Sequence, residues 1–200
     1  MSKEVVSTPI RRRVRIDASG GRQERVFVRC STGGGWEPLE GCRHCGACAH
    51  LSTPDRKDDW LLLCEAPPKK RKRALKGDPA EHAPVTDALE PSVLCVVGGA
   101  PVALVAGAMR EGDYEIAVVV DRDDRPIGII APRDLAGAKT AAEAMTPFAT
   151  TLLEDAPVAR AIELAIDRGL DHVPVLSAGR VMGLVSPRSL LAWLTQPHAR

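Results

Sequence analysis

Five of the six cysteines in this 200-residue chain fall between residues 30 and 64, with a spacing suited to metal chemistry. Cys42, Cys45 and Cys48 form a C-x2-C-x2-C run. A tetrahedral zinc site needs two thiolates from one turn and two more from elsewhere in the chain. We predict that Cys42 and Cys45 form that turn. Cys30 and Cys64, each at the end of a predicted strand, would complete the zinc site.

An iron–sulfur cluster is the alternative, because C-x2-C-x2-C also opens the bacterial ferredoxin run. That run continues with C-x3-C-P, whereas Ala49-His50-Leu51-Ser52 follows here without a further cysteine. A redox thiol pair is a third alternative. The zinc prediction leaves Cys48 without a role, and His44 and His50 are less favoured ligands.

The elements that hold these cysteines are expected to be short. Arg25–Arg29 and Trp60–Leu63 are predicted strands, and Ser31–Gly35 is a predicted turn. A segment of about 45 residues with few large apolar side chains needs a cross-link to be stable. Met1–Gln23 is rich in arginine and lacks an apolar secretory segment, and no stretch is long enough to span a bilayer. We therefore expect a cytoplasmic protein without a membrane partner, whose reduced thiols favour a metal over disulfides.

The second part of the chain is an internal repeat. Residues Ala88–Leu135 return as Ala144–Leu190, and both copies contain the run A-P-V-A, at 100–103 and at 156–159. The offset is 56 residues up to Val119 and 55 from Gly128 onward. One residue is therefore missing in a turn, where length changes are tolerated. The pattern predicts a tandem pair of small structural units.

Each copy is predicted to have the order β-α-β-β-α, which makes the fold class α/β (α+β). Ala100–Glu111 and Ala156–Asp167 have apolar residues at helical spacing, and Asp155 is a candidate N-cap. Final helices are expected after Pro132 and Pro187. Neither copy is long enough for a core of its own, so the two should pack together. The predicted paired strands are Ile116–Val120 with Ile127–Ile130, and Val173–Leu176 with Val181–Val185.

The runs Val118–Leu135 and His172–Leu190 resemble the cystathionine β-synthase (CBS) domain, present here as a tandem pair. The resemblance covers roughly residues 84–196. It implies two repeats packed with pseudo-two-fold symmetry, regulation without catalysis, an adenine nucleotide in the cleft between the repeats, and a homodimer. The cysteine spacing also resembles small N-terminal segments that precede CBS pairs in some bacterial proteins.

The ligand signature of that family is G-h-h-T-x-x-D. Its aspartate accepts hydrogen bonds from ribose hydroxyls, and its threonine hydroxyl and helix N-terminus hold phosphate. The first copy, Gly128–Asp134, keeps the acid without the hydroxyl, and the second, Gly183–Ser189, keeps a hydroxyl without the acid. The resemblance favours binding beside Asp134. The residues that it implies for nucleotide binding are Tyr114, Ile116, Arg133, Asp134, His172, Ser186 and Arg188.

Charge and composition divide the chain further. Residues 1–80 carry 17 Lys and Arg against 10 Asp and Glu, whereas residues 81–200 carry 10 against 16. Lys69–Arg73 is wholly basic and could contact nucleic acid, but a solvated linker is the favoured interpretation. The predicted organisation is a flexible arm (1–22), a β-rich cysteine module (23–66), a basic linker (67–83), and repeats at 84–138 and 139–196.

The sequence contains no recognisable catalytic motif. Gly33-Gly34-Gly35 lacks the strand, helix and lysine of a phosphate loop, and no dinucleotide fingerprint is present. Two hypotheses about the function remain, and neither of them is an enzyme. The favoured hypothesis is a sensor of adenine nucleotides that signals to an unknown regulated protein. The alternative is a metal-stabilised nucleic-acid-binding or protein-interaction module in which the repeats only dimerise.

Overall fold

The structure is a computed structural model that describes residues 5–8, 10–30, 35–42, 45, 47–52, 61–65, 78–147 and 150–196. The chain divides into two compact units. The first consists of residues 1–12 and 25–74, and the second of residues 13–24 and 75–200. No helix in the described ranges has the length and apolarity needed to cross a membrane.

The first unit consists mainly of short strands. Its small core contains Val28, Leu39, Cys42 and Cys64. One sheet has the strand order β1-β6-β5, and β3 pairs separately with β4; all these pairings are antiparallel. The elements from the start of the chain are β1 (Val5–Ser7), β2 (Ile10–Ile16), β3 (Arg22–Arg29), β4 (Trp36–Pro38), α1 (Leu39–Cys42), β5 (Cys48–Ser52) and β6 (Leu61–Glu65).

The second unit contains both repeats. The first copy is preceded by α2 (Pro79–His82) and a 3₁₀ turn, Val85–Ala88. It consists of β7 (Ser92–Val97), α3 (Val102–Gly112), β8 (Ala117–Val120), β9 (Pro126–Ile130) and a second 3₁₀ turn, Pro132–Leu135. After α4 (Ala141–Ala144), the second copy consists of β10 (Leu152–Leu153), α5 (Val158–Arg168), β11 (Val173–Ser177), β12 (Arg180–Val185) and α6 (Pro187–Leu194).

The two copies have the same sheet topology. In each, a first strand runs parallel to the middle strand, β7 to β8 and β10 to β11, and the third strand is antiparallel to the middle one. The middle strand β8 is buried on both faces: Val119 packs into the core under α3, and Val118 packs toward the second copy. This confirms the expectation that continuous apolar runs are strands covered on both sides.

The core of each copy is completed by the segment that leads into the other copy. Ala141 and Ala144 of α4 pack into the core of the first copy. Val85 and Leu89 pack into the core of the second. Backbone hydrogen bonds follow the same exchange. The Val85 N–H donates to the Ala156 carbonyl at 2.7 Å, and the Ala141 N–H donates to the Ala100 carbonyl at 2.9 Å. This reciprocal pattern is the one that a two-fold relation between the copies produces.

The strand β2 extends the sheet of the first copy, because β2 is the neighbour of β7. Val14 and Ile16 are buried in the core of that copy. In addition, Arg13 Nη2 lies 3.3 Å from Asp124 Oδ2, and Arg15 Nε lies 3.0 Å from Asp124 Oδ1. The prediction of a flexible arm over residues 1–22 is therefore wrong for Ile10–Ile16, whose alternating buried residues stabilise a strand.

Other predicted elements differ in detail. Both central helices begin two residues later than predicted, after Pro101 and Pro157, which occupy the N-cap position instead of Asp155. The helix expected after Pro132 is only a 3₁₀ turn, whereas Pro187 begins a true helix. Residues 79–82 of the predicted linker form α2. The basic run of that linker, Lys69–Arg73, lies outside the described residues.

The contact of Asp124 with two arginines makes a prediction about stability. Asp124→Asn keeps the side-chain shape but removes the charge, and Arg13 is nearly buried, with 9% of its side chain exposed. We expect the free energy of unfolding to fall by about 2 kcal/mol, since the substitution removes two ion pairs from a shielded site, and such a loss lies between those of exposed and fully buried ion pairs. Urea denaturation measures the free energy of unfolding. The control is Asp123→Asn, which changes an exposed residue of the same turn. An equal loss of stability in both variants would show that the ion pairs of Asp124 do not stabilise the fold.

Candidate functional site

A polar cleft of about 260 Å³ lies between the two repeats. The first copy contributes residues from the start of β7 and from the loop between α3 and β8, and the second contributes residues around β11, β12 and α6. Both copies are therefore needed to form the cleft. Its lining consists of Glu90, Pro91, Ser92, Gly112, Asp113, Tyr114, Glu115, Ile116, His172, Leu184 and Arg188.

The loop after α3 is shaped by a left-handed residue and a glycine. Asp113 has φ 52° and ψ 43°, and its N–H donates to the Met109 carbonyl to end the helix. The ring of Tyr114 lies so close to Gly112 that a Cβ there would be 2.1 Å from Tyr114 Cε2. Tyr114 thus packs against the core of the first copy, and its buried hydroxyl has no hydrogen-bond partner among the described residues.

The charged groups of the cleft are partly paired with one another. Glu115 Oε2 lies 3.5 Å from His172 Nε2, and Glu115 Oε1 lies 3.7 Å from Arg188 Nη1. Arg188 has 82% of its side chain exposed, whereas His172 has only 14% exposed. The Glu115 carboxylate of the first copy therefore contacts both Arg188 and His172 of the second copy, and these contacts connect the two copies across the cleft.

Ser186 is buried at the N-terminus of α6 and takes part in a capping network. Its hydroxyl accepts a hydrogen bond from the Ser189 N–H at 3.2 Å and donates one to Glu90 Oε1. The Ser189 hydroxyl accepts from the Ser186 N–H at 3.0 Å. The N–H of Glu90 in turn donates to the Leu184 carbonyl at 2.8 Å. Glu90, from the first copy, is therefore held at the helix start of the second.

The structure brings together some of the residues that the resemblance implies for nucleotide binding and separates others. Tyr114, Ile116, His172 and Arg188 line the cleft, and Ser186 lies beside it through its hydrogen bond to Glu90. Arg133 and Asp134 are not in this lining.

Asp134 caps its own 3₁₀ turn. Its Oδ2 accepts from the Ala131 N–H at 2.8 Å, and its Oδ1 lies 3.8 Å from Nε of the exposed Arg133.

Three acidic lining residues were missed by the sequence analysis: Glu90, Asp113 and Glu115. Glu90 directly precedes Pro91, which the repeat aligns with Pro147, so its equivalent in the second copy is Thr146. This difference between the copies was visible in the sequence. Which end of the cleft Glu90 would reach was not visible, because that depends on how the copies pack.

The predicted zinc ligands Cys30, Cys42, Cys45 and Cys64 all belong to the first unit. Burial raises the pKa of the Cys42 thiol, and the neighbouring thiols of Cys64, Cys45, Cys30 and Cys48 raise it further. The Cys48 N–H donates to the Cys45 carbonyl at 3.1 Å, and Cys48 is opposite Cys64 in the sheet. Within the described part of the chain, however, no three His, Cys, Asp or Glu side chains are arranged to hold a metal ion.

Two other observations concern cysteine and histidine. Cys95 is fully buried on β7, and burial raises the pKa of its thiol. His44 and the side chain of His50 lie outside what the structure describes.

The fold and the cleft together define a tandem α/β repeat module with a polar site between its copies. Residues 82–140 and 141–196 each match the family model of the CBS domain, and together they make up more than half of the chain. The chain therefore belongs to the CBS domain family.

Known proteins resemble this chain in sequence or in fold. The chain is 30% identical over 105 residues to an uncharacterized 17.7 kDa protein of Acidianus ambivalens, covering 48% of this chain and 64% of that protein. It thus spans less than two thirds of that relative. It also resembles CBSX2, crystallised in complex with AMP, with a TM-score of 0.51 and 16% identity over 57% of this chain and 99% of that one.

A second solved structure is the CBS domain pair of protein MJ0100 in complex with 5′-methylthioadenosine and S-adenosyl-L-methionine. It has a TM-score of 0.51 and 24% identity, covering 56% of this chain and 99% of that one. At these identities, both likenesses show the fold.

The capping network of α6 makes a prediction about stability. Ser186→Ala removes the hydroxyl that accepts from Ser189 and donates to Glu90, so the free energy of unfolding should fall by about 1–2 kcal/mol. The control is Thr195→Ala, which removes an exposed hydroxyl at the other end of the helix and should change stability by less than about 0.5 kcal/mol. Thermal and urea denaturation compare the two. A Ser186→Ala protein as stable as the control would show that the network is not stabilising.

Proposed function

We propose that this protein is a non-enzymatic regulatory module that binds an adenine nucleotide or related adenosine ligand between its CBS copies and signals to a partner. The observation that carries the proposal is the cleft itself, which both copies line. Its volume of about 260 Å³ lies just below the range for small-molecule pockets, about 300–1,000 Å³.

A ligand in this position has a physical route to regulation. Glu115 and Glu90 of the first copy contact Arg188 and Ser186 of the second around the cleft. A ligand that binds among these residues contacts both copies at once. It would therefore favour the arrangement of the copies that fits it best, and a partner that distinguishes those arrangements would respond.

The adenosine component of the proposal has support from two sides. The chain belongs to the CBS domain family, and solved CBS proteins of the same fold were crystallised with AMP, and with 5′-methylthioadenosine and S-adenosyl-L-methionine. Within the cleft, Ile116 and Leu184 offer apolar contacts for a base, and the surrounding carboxylates offer acceptors for ribose hydroxyls.

Calorimetric titration tests the proposal. We expect at least one of AMP, ADP, ATP, 5′-methylthioadenosine and S-adenosyl-L-methionine to bind saturably, near one per chain. Ser92→Trp fills the cleft from β7 and should abolish that binding. The matched control is Ser177→Trp at the far end of β11, which should bind as the unchanged protein does.

Circular dichroism and thermal unfolding of both tryptophan variants check that each is folded. If none of the five ligands binds, or if Ser92→Trp binds as well as Ser177→Trp, the proposed function is wrong.

We further propose that the cysteine-rich unit binds one zinc ion through Cys30, Cys42, Cys45 and Cys64. The support is the gathering of four other thiols around Cys42, whose pKa they raise by their proximity. Thiolates are the ligands that structural zinc prefers. Because no three of the described side chains yet form a ligand group, binding would require rotation of these side chains.

Metal analysis of protein purified without chelators tests this assignment. We expect about one zinc per chain. The zinc should be lost in Cys42→Ser and retained in Cys95→Ala, which changes the buried thiol of the other unit. Iron accompanied by visible absorption would instead support the iron–sulfur alternative. Zinc content that Cys42→Ser leaves unchanged would contradict the site.

The remaining predictions from the sequence stay proposals. They are a homodimer formed through the CBS pair, a cytoplasmic location and an unknown regulated partner. Exposed apolar side chains on α5 and α6 are consistent with association: Ile166 is 75% exposed and Leu191 62%.

A further inference from the structure

One cysteine of the first unit has no part in the proposed zinc site. The four proposed ligands are Cys30, Cys42, Cys45 and Cys64, and Cys48 is the fifth cysteine of this unit. The Cys48 thiol lies near the ligands, because it is among the groups that raise the pKa of Cys42. Its side chain also packs against the small core that contains Cys42 and Cys64. Cys48 is therefore placed to react with another thiol of the unit.

The partner of Cys48 is fixed by the pairing of two strands. Cys48 of β5 lies directly opposite Cys64 of β6 in an antiparallel pair. Directly opposite residues of such a pair have Cα atoms about 4.5–5.5 Å apart. Disulfides form between cysteines whose Cα atoms are about 4.4–6.8 Å apart. The backbone therefore already holds this pair at a separation that a disulfide accepts.

A small local adjustment would complete the geometry. The Cβ atoms of directly opposite residues are about 4.5–5.5 Å apart, whereas a disulfide prefers about 3.5–4.5 Å. The register shifts between Cys48 and His50, so Ala49 is the extra residue of a β-bulge. A bulge disrupts the ladder locally and bends its strand. Cys48 lies at this irregular start of β5, where a shift of its Cβ toward Cys64 disturbs little regular pairing.

Cys48 is also the thiol that an oxidant would reach first. It is half-buried, whereas Cys64 is buried, with 6% of its surface exposed. In the zinc-bound protein, the four ligand sulfurs donate electron pairs to the metal, and Cys48 is the thiol of this unit outside that set. Redox-sensing cysteines are accessible and lie next to a second cysteine that resolves them. Cys48 and Cys64 fit these two roles.

We propose that Cys48 and Cys64 form a reversible disulfide when the protein meets a peroxide, and that this modification releases the zinc ion. The disulfide consumes Cys64, which is also a proposed zinc ligand, so the two states exclude each other. The release of zinc therefore rests on the proposed zinc site, whereas the disulfide rests on the strand pairing. Disulfides of cytosolic proteins are usually transient, and they act in redox sensing or catalysis.

The reaction balances with one molecule of hydrogen peroxide. The Cys48 thiolate attacks one peroxide oxygen and the O–O bond breaks, which gives a sulfenic acid and a hydroxide that leaves as water with the proton of the Cys48 thiol. The Cys64 thiolate then attacks the Cys48 sulfur. The S–S bond forms, the S–O bond breaks, and the second water takes its proton from the Cys64 thiol, or from solvent if zinc had displaced that proton. The two sulfurs lose two electrons and the peroxide gains them.

Peptide mapping of the full chain tests the disulfide. Protein as purified and protein freed of metal by a chelator are each exposed to hydrogen peroxide. Unreacted thiols are then alkylated, and linked peptides are identified by mass spectrometry. We expect a Cys48–Cys64 link in both samples, a loss of two alkylatable thiols per chain, and reversal by dithiothreitol. In the sample as purified, the zinc released to a chromogenic chelator should equal the disulfide formed.

Two variants provide the controls. Cys48→Ser changes a residue outside the ligand set, so it should bind zinc as the unchanged protein does. Peroxide should form no Cys64 link in this variant, and the zinc should be released more slowly than from the unchanged protein. Cys95→Ala removes the fully buried thiol of the other unit, and it should form the link and release zinc as the unchanged protein does. Mapping of the unchanged protein decides the pairing even if a variant is unstable.

The outcomes separate this inference from the proposed zinc site. If peroxide links Cys42 to Cys45 instead, or links no thiols of this unit, the proposed pair is wrong even though the chain binds zinc. If the Cys48–Cys64 link forms while zinc stays bound, the coupling between the two is wrong. If the purified protein contains no zinc and the link still forms, the zinc site and the coupling fail and the disulfide stands.

Discussion

The second unit depends on one constraint: neither repeat can close its own core. Each core is completed by the segment that leads into the other copy, with α4 packed in the first and Val85 to Leu89 packed in the second. A repeat of this length buries too little apolar surface alone, so the exchange supplies the missing side chains and satisfies backbone groups at both helix starts. Separation of the copies would expose both cores at once.

The cleft is a consequence of the same exchange. Because the segment before β7 packs on the second copy, Glu90 lies at the N-terminus of α6, where Ser186 binds it. Because the loop after α3 faces the second copy, Glu115 reaches both His172 and Arg188. The residues that recognise a ligand are therefore positioned by the packing between copies, and a ligand bound there is sensitive to that packing.

Much of the fold could be predicted because it depends on local patterns. The repeated A-P-V-A runs located both central helices to within two residues, and the apolar runs located the strands. The difference between Pro132 and Pro187 could not be predicted. Both prolines suit the start of a helix, but only the second is followed by Leu190 and Trp193, which pack into a core and extend the turn into α6.

The site was harder to predict than the fold. Tyr114, Ile116, His172 and Arg188 were identified from the resemblance to the CBS domain, and they line the cleft. Glu90 is not among the residues that the resemblance implied, and its role follows from a contact between residues 96 positions apart in sequence. The strand β2 was missed for a similar reason. The sequence analysis predicted a flexible arm there, but Arg13 and Arg15 of the strand contact Asp124, which comes from a distant turn.

The position of β2 beside β7 has a consequence for how the two sheets avoid unwanted association. An exposed edge strand offers unpaired backbone groups to other chains and invites aggregation. In the first copy, the six-residue β7 is covered by β2 and is therefore not an edge. In the second copy, the corresponding strand β10 has only two residues and offers little to pair with. The two copies thus protect the same edge by different means, one by an added strand and the other by a very short one.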